Sequence, residues 1–393
     1  MKNSKRMTPI VDFLTEYAES GISRLHMPGH KGKAPKGVPD VLKDMYRLDI
    51  TEIAGADNLY APEGIIAESE RNAGNIFGAE TYYCTEGSSL AIKAMLYLSL
   101  KHFENVKGAL KPGEEASVIA IGKCHKAFYH AAELLNLKVE HVEPVGDYLC
   151  DIEDIVCGQT VGAYVTYPNY FGTVTDLKAI KKKLEKIRVP LLVDGAHSAY
   201  FKFLQGEYAK DYLHPVDCGA DAVCTSAHKT LPALTGAAYL HLNESFKDVF
   251  SVAKHAFDIF GSSSPSYLIM ASLDAFNGAA DELKEELTSF CKEVSAVKAQ
   301  IVQMGFNVRK SDPMRIVVAS DGRFTGEDFA KALRVCKCEP ECFDKDYVIM
   351  MLSPYNTGDD LKRIVKAFRI LKEGSDIREG SVEKGYDCLI NFK

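Results

Sequence analysis

Four short segments carry side chains that could do chemistry together, and the first contains Lys229. It lies in SAHKT at 226–230, directly after the apolar run Ala222–Thr225. A lysine at the end of a buried strand is partly desolvated, which lowers its pKa and makes the neutral amine available as a nucleophile. A surface lysine in a turn is the alternative, and the spacing alone does not decide between the two.

Asp194 ends a second apolar run, Pro190–Val193, which predicts a buried strand. An unpaired buried carboxylate is costly, so Asp194 needs a partner. A protonated heterocycle nitrogen is one such partner, and in enzymes that use pyridoxal phosphate (PLP) an aspartate in this position keeps the pyridine ring protonated. The alternative is an aspartate that caps the following helix.

Two weaker signals accompany these residues. Gly87, Ser88 and Ser89 begin a helical pattern that runs through Leu100, and a helix start with glycine and serine can bind a phosphate. His125 follows the predicted strand Ser117–Ile121, where it is either a structural histidine or a face that stacks on a ring.

The order of these signals along the chain is informative. A phosphate site, a histidine, Asp194 and Lys229 occur in the order that PLP enzymes of fold type I use. The separation of 35 positions between the last two (229 − 194 = 35) fits one helix and one strand.

A sheet is needed to bring these residues together. Short apolar runs separated by amphipathic helices predict a mostly parallel sheet with helices on both faces. Ligands of such sheets bind at the carboxyl ends of the strands. The predicted strands of the sheet are Ser117–Ile121, Val139–Val142, Gly162–Thr166, Pro190–Val193, Ala222–Thr225 and Ala237–His241.

The chain is predicted to have three regions. Residues 1–45 form an N-terminal arm that begins with a helix at Pro9–Ser20, and residues 46–280 form a large α/β domain. Residues 281–393 form a small C-terminal α+β domain with strands at Met314–Ala319 and Tyr347–Leu352.

Composition excludes several classes of function. The net charge of −7 argues against nucleic-acid binding, and the basic run at 178–188 is predicted to be a solvated helix face. The sequence has neither an apolar run of about 18 residues nor a signal-peptide pattern, so no membrane association and a cytoplasmic location are expected. The 11 cysteines are scattered, and the spacing of Cys336, Cys338 and Cys342 is not that of a zinc site, so no metal is expected.

Specific segments resemble a known family. SAHKTLPALT at 226–235 is similar to the PLP-attachment signature of the bacterial ornithine/lysine/arginine decarboxylases, and HMPGHKG at 26–32 resembles their N-terminal motif. The chain departs from the family at Gly195, where Glu is frequent, and at Gly236, where Gln is frequent. Longer relatives carry a further C-terminal domain. Other matching segments are DNLYAPEG (57–64), CHK (124–126), YPNYFG (167–172), VDGAH (193–197) and SSPSYLIMASLD (263–274).

The resemblance implies the PLP-dependent transferase fold of type I, in the aspartate aminotransferase superfamily. Its large domain has a mostly parallel seven-stranded sheet between helices, followed by a small α+β domain. The resemblance also implies roles in catalysis: Lys229 carries PLP as a Schiff base, Asp194 pairs with the pyridine nitrogen, and His125 stacks on the ring. The other implied cofactor contacts are Gly87, Ser88, Ser89, Ser226 and His228 at the phosphate, Ala196 on the opposite ring face, His197 near the phenolic oxygen, and Ser263 lent to the neighbour's phosphate across a homodimer interface.

The implied reaction is decarboxylation of lysine, ornithine or arginine to an amine and CO2, as in polyamine biosynthesis. Residues 347–357 contain no arginine to clamp a substrate carboxylate, which favours decarboxylation over transamination, although Arg315 and Arg363 could serve. Glu63 and Glu341 are candidates to bind the distal cation of the substrate. An aminotransferase or Cα–Cβ lyase is the alternative, followed by a PLP-binding regulator without turnover.

Overall fold

A computed structural model describes residues 7–145, 148–149 and 158–374, which divide into two compact units. The first unit comprises the described residues up to Tyr167 together with Thr175–Lys202 and Leu213–Ala280. The second comprises Pro168–Val174, Phe203–Tyr212 and the described residues from Asp281 onward. The sequence-based limits at residues 45 and 280 stay predictions, and two loops from the predicted large domain cluster with the second unit.

The described elements alternate between strands and helices. The strands are β1 (Glu80–Cys84), β2 (Ser117–Ile121), β3 (Lys138–Val142), β4 (Pro144–Val145), β5 (Tyr148–Leu149), β6 (Thr160–Thr166), β7 (Leu191–Asp194), β8 (Ala222–Thr225), β9 (Ala238–Leu242), β10 (Asn307–Arg309), β11 (Arg315–Ala319), β12 (Cys342–Phe343) and β13 (Tyr347–Met351). The helices are α1 (Pro9–Glu19), α2 (Asp40–Leu48), α3 (Ile65–Phe77), α4 (Gly87–Lys107), α5 (Lys126–Leu134), α6 (Leu177–Lys186), α7 (Tyr208–Asp211), α8 (Ala227–Thr230), α9 (Ala253–Phe260), α10 (Tyr267–Gln303), α11 (Gly326–Val335) and α12 (Gly358–Lys372).

The first unit is built on a seven-stranded sheet with the order β1-β9-β8-β7-β6-β2-β3. Strand β9 is antiparallel to both of its neighbours, and the remaining pairs are parallel. The mostly parallel sheet predicted from the sequence is therefore confirmed. Because β8, β7, β6 and β2 are adjacent and parallel, their carboxyl ends lie along the same edge of the sheet.

Helices cover both faces of this sheet, because its strands are apolar on both sides. On one face Tyr164 and Cys224 belong to a buried cluster with residues of α4, α5 and α9. On the other face Phe77 of α3 packs against Tyr239, with ring centroids 5.1 Å apart. Asn277 of α10 donates to the Tyr83 hydroxyl there at 2.9 Å.

The N-terminal helix is fastened to a distant part of the chain. The backbone N–H groups of Ile10 and Val11 donate to Asp274 Oδ2 of α10 at 2.8 and 2.9 Å. A helix start has N–H groups without helical partners, so the carboxylate caps α1 from another helix. Burial raises the pKa of Asp274 to about 6, although Ser69 and these two N–H groups oppose the shift.

The basic run forms helix α6, as predicted, but not all of its lysines are solvated. Leu177, Ile180 and Leu184 are buried on one face. Lys181 lies 2.7 Å from the buried carboxylate of Asp221 and holds the end of a loop beside β7. In the part of the chain that the structure describes, no helix is both long and apolar enough to cross a bilayer.

The second unit has a four-stranded antiparallel sheet with the order β10-β11-β13-β12. Phe329 of α11 and Phe368 of α12 pack together beside this sheet with ring centroids 5.6 Å apart. Both helices begin with a capping box, at Thr325 and Thr357, which explains their sharp starts.

Candidate active site

Four neighbouring strands of the first unit deliver polar side chains to one edge of the sheet. Asp194 is the last residue of β7, and Thr166, the last residue of β6, is its register partner. His125 follows β2, and Ser226 follows β8 directly. The predicted site residues on these strand ends therefore come together as the parallel order requires.

Lys229 lies in the short helix α8, three residues beyond Ser226. Its Nζ is 3.4 Å from Nε2 of His197, which follows Asp194 in the loop after β7. The lysine is exposed in the single chain, because α8 carries it past the buried end of the strand, where Ser226 is 0 % exposed. The partial desolvation of its amine therefore stays a prediction.

Asp194 is 2 % exposed, and its carboxylate accepts several hydrogen bonds. Tyr164 of β6 donates its hydroxyl to Oδ2 at 2.9 Å, and the backbone N–H of Ala196 donates to Oδ1 at 3.1 Å. The thiol of Cys224 lies 3.7 Å from Oδ1. Ala196 lies in a turn and not in a helix, so this bond is not the helix cap of the alternative prediction. The Tyr164 bond comes from a neighbouring strand and holds the carboxylate across the sheet.

The predicted phosphate-binding segment, residues 87–89, forms an open turn at the start of α4. Gly87 has φ of +74°, and an added Cβ would meet no atom within 4 Å, so there is room beside the backbone. Its N–H donates to Gly236 O at 2.8 Å, which leaves the serines to offer the binding groups. Ser226 Oγ donates to Ser88 Oγ at 2.8 Å, while Ser89 is exposed at the helix start.

Two histidines, His125 and His228, border this region, and the Nδ1 atom of each has a backbone partner. Nδ1 of His125 accepts the N–H of Ala127 at 3.1 Å and caps α5, so the proton of the neutral ring is on Nε2. Desolvation lowers the pKa of His125, Lys229 lowers it further, and Asp194 opposes the shift. His125 is nevertheless exposed, so the cap and a stacking role are compatible. His228 Nδ1 lies 3.0 Å from Ala237 O.

The remaining predicted contacts are placed less directly. Ala196 and His197 are buried beside Asp194, at 7 % and 5 % exposed. Ser263 is exposed. Its neighbour Ser262 lies beside the start of α4, where its N–H donates to Glu86 Oε1 at 2.6 Å.

The motifs at 26–32 and 57–64 have structural explanations. His30 Nδ1 accepts the N–H of Gly32 at 3.0 Å, and Nε2 lies 3.1 Å from Asp49 Oδ2, so this ring orders the arm. The Asp57 carboxylate accepts backbone N–H groups of five residues and thereby caps α3; they are Asn58, Glu63, Gly64, Ile66 and Ala67.

The two positions at which the chain departs from the family motifs, Gly195 and Gly236, have no room for a side chain. A Cβ at Gly195 would lie 2.5 Å from Ser198 Oγ and 3.1 Å from Cys224 O. Gly236 has φ of +98°, and a Cβ there would lie 2.8 Å from Thr85 O. In this chain the backbone around both positions is therefore fitted to glycine.

Sequence reasoning missed Tyr164 and Thr166. Both lie in a strand run that resembles an ordinary apolar core, and only the pairing of β6 with β7 brings them to Asp194. Thr166 Oγ1 is buried and has no hydrogen-bond partner among the described residues. The sequence carried one signal for Thr166, which is its hydroxyl at the end of a predicted strand. The next predicted strand along the chain is followed by Asp194.

These residues fit a phosphorylated, cationic heterocycle. The buried Asp194 suits a ring cation, the unsatisfied Thr166 hydroxyl suits a polar ring substituent, and the space beside Gly87 suits a phosphate. Lys229 supplies an amine within the same group of strand ends. Among the described residues, no cluster of three or more His, Cys, Asp or Glu side chains could hold a metal ion.

Comparison with known proteins agrees with the resemblance drawn from the motifs. A family model described as Orn/Lys/Arg decarboxylase, major domain, matches residues 8–145 and 148–318. The uncharacterized protein YaaO of Bacillus subtilis is 28% identical over 369 residues, which is 88% of this chain and 74% of that protein. An arginine decarboxylase of Bacillus subtilis is 26% identical over 394 residues, covering 93% of this chain and 77% of its own length.

Solved structures show the same fold. The lysine decarboxylase LdcF of Francisella novicida superposes with a TM-score of 0.76 at 17% identity. The match covers 94% of this chain and 60% of that one, so this chain spans less than two thirds of the solved enzyme. The predicted fold class, a type I PLP-enzyme fold, is confirmed by this neighbour and by a NifS-like protein with a TM-score of 0.61.

Proposed function

Because the chain belongs to the Orn/Lys/Arg decarboxylase family, which depends on PLP, we propose that it removes the α-carboxylate of lysine, ornithine or arginine as CO2 and releases the amine. The observation that carries this proposal is that Lys229, Asp194 and His125 follow or end strands β8, β7 and β2, whose carboxyl ends lie along one edge of the sheet, with open space beside Gly87. Arginine and lysine decarboxylases among the relatives support this class of substrate.

When bound, PLP would supply the electron sink for the electron pair that remains on Cα when the carboxylate leaves as CO2. The residues of the chain orient and polarise the reacting groups. Lys229 offers its amine for covalent attachment, and the buried Asp194 carboxylate is the partner for a ring cation. His125, held by its bond to Ala127, would present an imidazole face, and the Ser88 and Ser226 hydroxyls with the N–H groups that follow Gly87 in α4 would bind the phosphate.

Arg315 supports decarboxylation over transamination, because it is committed elsewhere. It is 2 % exposed, and its NH1 atom donates to the carbonyl oxygens of Asn169 and Tyr170 at 2.9 and 2.6 Å. Its Nε lies 3.3 Å from Asp312 Oδ2. A guanidinium that holds the backbone of a loop in this way is not a free clamp for a substrate carboxylate. Arg363 is partly exposed and lies 3.6 Å from Asp360 on its own helix.

Selection of a basic substrate requires an acidic group for its distal cation. Glu63 and Glu341 remain our candidates; both are exposed, and Glu341 also accepts the Tyr170 hydroxyl at 3.1 Å. Substitution of each by Gln tests them, with norleucine as the uncharged analogue of lysine. An unchanged preference for lysine over norleucine in both variants contradicts this assignment.

We further propose that the active form is a homodimer in the cytoplasm. Several large apolar side chains of the arm and α2 are exposed in the single chain, namely Ile22, Leu25, Met27, Val41, Leu42 and Met45. Burying such a surface favours association. A mixture of inactive Lys229→Ala and Ser263→Ala subunits should recover activity if Ser263 serves the neighbouring subunit's phosphate site.

The decisive experiment offers lysine, ornithine and arginine separately to the purified, PLP-loaded protein and measures amine and CO2. One amine released in equal amount to CO2, and lost in Lys229→Ala, is the expected result. A requirement for 2-oxoglutarate indicates an aminotransferase instead, and an aldehyde product indicates a Cα–Cβ lyase. Cofactor absorbance that depends on Lys229, without turnover of any substrate, indicates a regulator.

A further inference from the structure

The carboxylate of Asp194 is held from several directions. Tyr164 donates from β6, the backbone of Ala196 donates from the loop after β7, and Cys224 lies beside it on β8. Of the two side chains, the phenol is the stronger donor, because its O–H lies 2.9 Å from a carboxylate oxygen while the thiol sulfur is 3.7 Å away.

Packing fixes the position of this phenol. Tyr164 is 0 % exposed, and its ring centroid is 4.3 Å from that of Phe128, a buried residue of α5. The same helix is capped by His125, so the stacking candidate and the phenol are placed by one element. Burial raises the pKa of Tyr164 well above its usual value, with the Asp194 charge adding to the shift, so the hydroxyl keeps its proton.

We propose that Tyr164 is a positioning residue that holds the Asp194 carboxylate in a fixed orientation, and thereby strengthens the binding of a protonated pyridine ring. This inference rests on the proposed function, in which Asp194 faces the ring nitrogen of the cofactor. Tyr164 and Ala196 donate to different oxygens of the carboxylate, so its charge is presented from a fixed place. A carboxylate that is already ordered loses less freedom when a ring cation binds to it.

The test removes the hydroxyl and measures cofactor binding directly. Pyridoxamine 5′-phosphate is the probe, because it has the same ring and phosphate but forms no covalent bond with Lys229. Its dissociation constant is measured by equilibrium fluorescence at one neutral pH for Tyr164→Phe and wild type. Inorganic phosphate, which can occupy the phosphate site but offers no ring cation, is the second probe and is measured by competition. Tyr239→Phe is the matched control, since Tyr239 is an equally buried tyrosine on the opposite face of the same sheet.

We expect Tyr164→Phe to bind pyridoxamine 5′-phosphate about tenfold more weakly than wild type, because one hydrogen bond to a charged group changes an equilibrium constant by at least this much. Its binding of inorganic phosphate should stay within twofold of wild type, and Tyr239→Phe should bind both probes as wild type does. Binding of pyridoxamine 5′-phosphate by Tyr164→Phe within twofold of wild type overturns the inference. An equal loss for both probes also overturns it, since a general packing defect has no reason to spare the phosphate.

Asp194→Asn separates this inference from the proposed function. If this variant binds the probe weakly while Tyr164→Phe binds normally, the inference fails and the placement of Asp194 stands. If Asp194→Asn itself binds like wild type, Asp194 does not face the ring nitrogen, and the proposed role and the inference fail together.

Discussion

Acid should destabilise the first unit through His241, a histidine buried in the middle of the sheet. Its Nδ1 lies 2.9 Å from Thr81 Oγ1 and its Nε2 lies 3.0 Å from Thr225 Oγ1. The Thr81 hydroxyl donates to Ala79 O at 3.0 Å, so it accepts the Nδ1 proton, and Nε2 accepts from Thr225. A second proton on the ring would force Thr225 to abandon its donor role.

The size of the effect follows from the pKa. Burial, with a smaller contribution from the charge of Lys202, lowers the pKa of His241 from 6.5 to about 3. Between these two values the unfolded chain binds a proton that the folded chain does not, so stability falls as the pH falls. From pH 7 to pH 5 the free energy of unfolding should decrease by about 2 kcal/mol for this residue. His214, whose pKa is also lowered by burial and by His241, should add a similar loss.

Chemical denaturation of the cofactor-free protein at these two pH values measures the loss, and His241→Gln isolates the contribution of one residue. The variant is expected to be less stable at neutral pH but to lose about 2 kcal/mol less than wild type on acidification. Carboxylates and His214 titrate in both proteins and cancel. The same decrease in wild type and variant would refute the reasoning, because it would mean that His241 takes up its proton in the folded state.

Three other substitutions should lower stability by amounts that denaturation curves resolve. Gly236→Ala places a Cβ 2.8 Å from Thr85 O at positive φ and should cost at least about 1 kcal/mol; an unchanged midpoint would contradict this. Lys254→Met leaves the buried Glu70 without its cation and should cost about 3–5 kcal/mol, largely recovered by adding Glu70→Gln. Asp57→Ala removes the cap of α3 and should cost about 1–2 kcal/mol, with Asp57→Asn intermediate.

Local patterns predicted the strands of the sheet and the residues at their ends. The strand predicted at 222–225 has the same limits as β8. A short run of apolar or β-branched residues followed by a polar segment is typical of a buried strand. Asp194 and Lys229 could be placed at strand ends for the same reason. Strand β1 was missed, since Glu80–Cys84 shows no alternation and is defined mainly by its antiparallel pairing with β9.

What the sequence could not predict depends on contacts between distant segments. Tyr164 resembles any buried tyrosine until β6 is paired with β7, and its relation to Asp194 is a property of that register. Arg315 was considered as a substrate clamp, but its partners at Asn169 and Tyr170 lie about 145 residues earlier in the chain. Charge alone does not distinguish a ligand-binding arginine from one that holds backbone carbonyls.

The attachment of helix α1 to Asp274 has a consequence for folding during synthesis. Ile10 and its cap are separated by 264 residues, and β1 likewise pairs with β9, which is made about 160 residues later. Helix α1 and strand β1 are made long before these partners, while β2, β3 and β6 to β8 pair in parallel with strands nearer in the sequence. Truncated chains that end before residue 238 should therefore leave α1 without its Asp274 cap and β1 without its β9 partner.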